Sequence, residues 1–157
     1  MKYENIRKYF DRGIEGIEEF LQVQEIKDVI ISIEGYQSDF KGNIITEGTE
    51  LKETISRLTG IHGEVLVIAK IAESYTSTNE AREFLEAKKE LIDDGKGGQK
   101  IPTDDTAKAK SKVNNLVCVR TANLFEAYYK SCGQMIMSAQ SLMNYLTGKH
   151  PAGQSEN

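Results

Sequence analysis

The sequence predicts an all-α fold: an elongated helical bundle or helical hairpin with a long C-terminal helix. Three observations lead there. Apolar residues recur at three- and four-residue steps through most of the 157 positions. Only two prolines, Pro102 and Pro151, occur, so long uninterrupted helices are permitted. A Gly- and Lys-rich stretch from Gly95 to Thr103 separates an acidic first part from a basic last part.

The first helical stripe is Ile6, Phe10, Ile14, Ile17 and Leu21, resumed at Ile26, Ile30 and Ile33. Gly13 and Gly16 either weaken it by about 1 kcal/mol each relative to Ala or permit the close approach of another helix. Val29-Ile30-Ile31-Ser32-Ile33 also reads as a strand, and Gly42-Asn43 is a usable hairpin turn. A small β excursion near residues 29–46, with Ile31 and Ile33 against Ile44 and Ile45, therefore stays open beside the helix.

Thr49 is placed to cap a helix carrying Leu51, Ile55, Leu58, Ile61, Val65, Ile68 and Ala72. Ser77-Thr78-Asn79-Glu80 matches the capping box and predicts a fresh start for a second run through Ala81, Phe84, Leu85, Leu91 and Ile92. Pro102 and Thr103 open the last helix, expected to continue unbroken to Leu146 over about 65 Å. Its seam is Val113, Val117, Leu124, Tyr128, Met135, Ala139 and Leu146 at 11-residue intervals, widened by Leu142 and its neighbours. A helix that long must be flanked, either by other copies of the chain or by an antiparallel run of residues 49–94. For the first arrangement the oligomerisation residues are Val113, Val117, Leu124, Tyr128, Met135, Leu142 and Leu146.

The chain is long enough for one domain and too short for two. It divides into an acidic helical region (1–94), a loop (95–102), the long helix (103–147) and a tail (148–157) expected to be disordered. Residues 1–94 carry 12 Lys/Arg against 20 Asp/Glu, and residues 95–157 carry 8 against 4. The two parts meet different surroundings, or each other. The charged start MKYENIRKYF does not resemble a signal peptide, and no apolar run reaches membrane-spanning length. The expected location is the cytoplasm, that of the host cell if the protein is phage-encoded.

Little in the chain points to catalysis. His62 sits between Gly60 and Gly63 without a partner at metal-ligand spacing. Cys118 and Cys132 lie about 21 Å apart if they share a helix, and read as small buried hydrophobes rather than a disulfide or nucleophiles. Glu15-x-x-Glu18 with Glu25-x-x-Asp28, repeated as Glu80-x-x-Glu83 with Glu90-x-x-Asp93, echoes the Mg²⁺-binding pattern of all-α nucleotide pyrophosphohydrolases. Only six residues separate the two pairs, so each set would lie along one helix instead of facing across two, and a solvated face is the stronger account. No cofactor, metal or catalytic residue is expected, and the Mg²⁺ enzyme is the third functional reading.

The basic residues cluster around the start of the last helix. Lys96, Lys100, Lys108, Lys110 and Lys112, with Arg120 beyond them, form a patch that could hold a phosphate backbone without regard to sequence. Tyr128 and Tyr129 are available in principle for base stacking, and the place of Tyr128 on the helix seam favours core packing instead.

The order of elements resembles the phage UvsY-type recombination mediators. The resemblance rests on Ile61-His62-Gly63-Glu64, the helix reaching Glu73-Ser74-Tyr75-Thr76, the polar break, and Ala107-Lys108-Ala109-Lys110. It closes on Leu124-Phe125-Glu126-Ala127-Tyr128-Tyr129 and Ser138-Ala139-Gln140-Ser141-Leu142-Met143-Asn144-Tyr145-Leu146, and covers about residues 60–147. It implies a helical, homo-oligomeric accessory protein that binds single-stranded DNA and works beside recombination proteins. A non-enzymatic protein–protein interaction factor, such as a phage assembly or anti-defence protein, is the alternative.

Overall fold

The computed structural model describes residues 3–42, 48–93, 95 and 97–148. Six helices and one short ribbon occur among them: α1 (Tyr3–Asp11), α2 (Ile14–Gln22), α3 (Gln24–Lys41), α4 (Gly48–Lys89), β1 (Ile92–Asp93), β2 (Gln99–Lys100), α5 (Asp104–Asn114) and α6 (Leu116–Leu146). No helix among the described residues is long and apolar enough to cross a membrane.

The longest element is α4, not the C-terminal helix. It runs 42 residues, about 63 Å at 1.5 Å per residue, and its buried positions Leu51, Leu58, Val65, Ala72 and Asn79 step by sevens. The C-terminal partner does the same with Cys118, Phe125, Cys132 and Ala139, all fully buried. This seven-residue spacing replaces the 11-residue one expected for the last helix. It is the pattern of two helices held side by side along one seam. Asn79 meets Asn115, the Cys118 thiol points at the Ala72 carbonyl, and the His62 ring lies on Tyr129, so α4 and α5–α6 run antiparallel. The intramolecular pairing of residues 49–94 with the last helix is thus present. Ala72, Cys118, Cys132 and Ala139 are small, which lets the two backbones approach closely.

Helices α1, α2 and α3 pack against this hairpin. Phe10, Phe20 and Phe125 lie in one aromatic chain, Phe10–Phe20 at 5.5 Å and Phe20–Phe125 at 6.0 Å between ring centres. Ile6, Ile17, Ile26 and Ile33 fill the space around them and are buried. Each such side chain contributes roughly 1.5–3 kcal/mol by leaving water.

Three boundaries differ from the sequence expectation, each for a local reason. The first stripe is not one helix. Gly13 takes φ +72°, a left-handed conformation that ends α1 and starts α2. Gly16 then lies so close to α1 that a Cβ there would stand 2.0 Å from the Tyr9 carbonyl oxygen. Extended backbone at Val23 makes the second bend, into α3.

No β excursion occurs at residues 29–41, which are helical throughout α3 because Ile26 and Ile33 share its buried face. Residues 43–47, with Ile44 and Ile45, lie outside the described residues. The small antiparallel ribbon is at the hairpin tip instead, where Ile92 pairs with Lys100 and Asp93 with Gln99.

The capping box at Ser77–Glu80 does not start a helix. Helix α4 passes straight through it, because Asn79 occupies a core position and its side chain is committed to Asn115 and Arg82. Thr49 likewise lies inside the first turn of α4, which begins at Gly48.

Thr103 does cap α5 as expected, its hydroxyl accepting from the Thr106 N–H at 3.3 Å. The run from Thr103 to Leu146 is nevertheless two helices joined at Asn115. Asn115 keeps helical bonds on both sides, its N–H to Ser111 at 2.9 Å and its carbonyl to the Val119 N–H at 3.1 Å. Its side chain turns inward, donating to the Thr76 carbonyl at 3.0 Å and accepting from Asn79 at 2.9 Å.

Candidate functional site

The basic residues are distributed over two sides of α5 by its helical period. Lys110 and Asn114, four residues apart, turn toward α4, where Lys110 pairs with Glu90 and Asn114 donates to Glu83 at 2.9 Å. These bonds tie α5 to the end of α4. Lys88 adds a third tie, reaching the Pro102 carbonyl at 2.9 Å and Asp104 at 2.8 Å. The ammonium beside it holds the Asp104 carboxyl below its ordinary range.

Lys108 and Lys112 share the other side and are exposed, with no ion pair among the described residues. Lys108 borders a cleft of about 300 Å³ between α4 and α5, whose walls include Ser77, Glu80, Phe84 and Ser111. Lys100 is exposed on β2, and Arg120 is exposed on α6 beyond the Asn115 junction. Lys96 lies outside the described residues. The structure therefore brings Lys108 and Lys112 together, gives Lys110 a different partner and leaves Arg120 on the next helix.

The aromatic residue in the Lys108 cleft is Phe84, which belongs to the apolar run that follows Ser77 in the sequence. Antiparallel pairing of α4 with α5 is what sets it opposite Lys108 and Ser111. The spacing of Lys108, Ser111 and Lys112 is the signal that marks this face in the sequence. The two tyrosines are engaged elsewhere. Tyr128 donates to Glu34 at 2.9 Å, and desolvation, then that carboxylate, push its hydroxyl up to about 12. Tyr129 stacks on His62 at 4.4 Å between ring centres.

The residues expected to carry self-association divide in the same way. Val113, Leu124 and Leu146 are 64%, 38% and 49% exposed. Val117, Tyr128 and Leu142 are half-buried, and Met135 is buried in the protein's own core.

The carboxylate pairs lie on separate elements. Glu15 and Glu18 are exposed on α2, while Glu25 and Asp28 are exposed on α3, with Asp28 accepting from Gln24 at 2.7 Å. No group of three or more His, Cys, Asp or Glu side chains able to hold a metal ion occurs among the described residues. Cys118 and Cys132 are fully buried, and burial pushes both thiols up, away from the nucleophilic thiolate.

The chain matches no family model, no curated protein and no solved structure.

Proposed function

We propose that this protein is a non-enzymatic, self-associating accessory factor that holds single-stranded DNA by its phosphate backbone in phage-type recombination. The observation that carries the proposal is the cleft between α4 and α5. Exposed Lys108 lines it together with Phe84, the exposed hydroxyl of Ser77 and the carboxylate of Glu80, and Lys112 follows one turn further along α5. A cation and an aromatic ring in one cleft suit a strand whose bases are unpaired, since every base has a stacking face and every nucleotide a phosphate. Lys100 adds a further exposed cation on β2. The resemblance to UvsY-type mediators, which rests on residues 60–147, points the same way and supplies recombination proteins as partners.

Fluorescence anisotropy of a labelled oligothymidylate across a salt series tests it. Reversing Lys108 and Lys112 to Glu should weaken binding at least tenfold and flatten the salt dependence by about 0.7 for each phosphate that is no longer neutralised. Unchanged affinity and slope would exclude this surface. The exposed apolar side chains of α5 and α6 favour a second reading, a protein–protein interaction factor. A stable complex with a protein partner in the absence of any DNA affinity at low salt would select it.

A further inference from the structure

Helices α5 and α6 carry an exposed stripe, uncovered by any of the described residues, on which Val113, Leu116, Arg120 and Leu124 follow at steps of three, four and four. All are exposed: Val113 at 64%, Leu116 at 43%, Leu124 at 38%, with Arg120 among them. Residues 106–125 contain four cations and no acid. Three apolar side chains aligned on one face around a cation form a candidate contact surface.

A surface of opposite character lies on α2. Residues 14–22 contain three acids and no cation, and Glu15, Glu18 and Glu19 border a shallow hollow with Leu21 and Gln22. Glu19 is occupied by Arg12 at 2.6 Å. Glu15 and Glu18 are exposed and make no ion pair among the described residues. The hollow offers carboxylates beside the aliphatic side chain of Leu21, while the stripe offers a cation among apolar side chains.

We infer that the Val113–Leu124 stripe of one copy docks on the Glu15–Glu18 hollow of another, with Arg120 placed between the two carboxylates. This rests on the self-association in the proposed function and specifies which surfaces carry it. Because the two surfaces differ, the contact is head-to-tail: each copy offers one of each, so assembly proceeds to a ring or a filament rather than stopping at two. The carboxylates and Arg120 are exposed before docking, so rising salt screens their attraction and weakens the contact. The contact also assigns Arg120 to protein rather than to phosphate.

Two variants test it by mass, in sedimentation or light scattering without nucleic acid. Arg120→Glu spoils the stripe and leaves the hollow; Glu15→Ala with Glu18→Ala spoils the hollow and leaves the stripe. Each should raise the dissociation constant for self-association about tenfold or more and sediment as a monomer at concentrations where the wild type assembles. Both change exposed side chains, so helical circular dichroism should be unaltered. Mixed one to one, they retain one working contact and should form a dimer that grows no further. A wild type that stays monomeric, a Glu15/Glu18 variant that assembles like the wild type, or a mixture that remains monomeric would each overturn the inference. Anisotropy on the same variants separates the two ideas: DNA affinity that survives failed assembly leaves Lys108 and Lys112 in place, whereas assembly without DNA affinity removes the nucleic-acid reading alone.

Discussion

The Asn79 amide donates to the Asn115 side-chain oxygen at 2.9 Å inside the seam between α4 and the C-terminal helices, and both residues are 3% exposed. Asn115 in turn bonds the Thr76 carbonyl, so the pair closes a small polar layer in an otherwise apolar interface. Replacing Asn79 by Ala leaves a buried acceptor unpaired and should destabilise the fold by about 2 kcal/mol in urea unfolding. The double change to Leu at both positions should recover part of that loss. A double-mutant cycle with Ala should give a coupling of about 1 kcal/mol; additive effects would show that the pair does not act as a unit.

The glycines of the first four helices should respond in opposite directions to alanine. Gly16→Ala forces a methyl group toward the Tyr9 carbonyl and should cost about 1–3 kcal/mol. Gly35, Gly60 and Gly63 face open space inside α3 and α4, so alanine there should stabilise by about 0.5–1 kcal/mol each. Thermal midpoints of the single variants would show the contrast directly.

Tyr128 ties α6 to Glu34 on α3, and its hydroxyl titrates at about 12 in the folded protein against 10 when free. A raised folded value favours the protonated state. The stabilisation is therefore complete below pH 10 and is lost as pH climbs from 10 to about 12. Tyr128→Phe should be less stable at pH 8 by about 1 kcal/mol, and the difference should close above pH 10 and change sign before about pH 12, because desolvation as well as the hydrogen bond opposes the charged form. A difference that stays constant across that range would exclude Tyr128 as its source.

Lys110 and Lys108 are two residues apart, yet only Lys110 is bonded across to Glu90. Lys108→Ala should therefore weaken oligonucleotide binding more than Lys110→Ala when both are measured by anisotropy at one salt concentration. The reverse order would place the phosphate path on the Glu90 side of α5.

Burial makes Cys118 and Cys132 unreactive in the folded state. A thiol reagent should modify both at the rate of unfolding and at no faster rate. Rapid labelling of either at neutral pH would show that the seam opens locally.

Periodicity made the helices legible, and Thr103 and the cysteines behave as their residue types suggest. What the sequence obscured is where helices stop. The Ser77–Glu80 box has the local form of a helix start, but Asn79 contributes more as a seam residue bonded to Asn115 than as a cap, so tertiary pairing overrides the local preference. The junction at Asn115 is hidden for the complementary reason, since it lacks Gly or Pro and keeps its backbone bonds. Lys108, Lys110 and Lys112 formed one patch in the linear order. Separating them required knowing that Glu90 lies across from only one.

Helix α4 is finished long before its partner is made. During synthesis Leu51, Leu58, Val65 and Ala72 emerge more than forty residues ahead of Cys118, Phe125, Cys132 and Ala139, and Phe20 likewise waits for Phe125. The nascent chain thus displays an unfilled apolar seam until its last helix leaves the ribosome. A chain cut short before Leu116 keeps α5 but lacks the helix that carries Cys118, Phe125, Cys132 and Ala139, and becomes a natural client for chaperones and proteases.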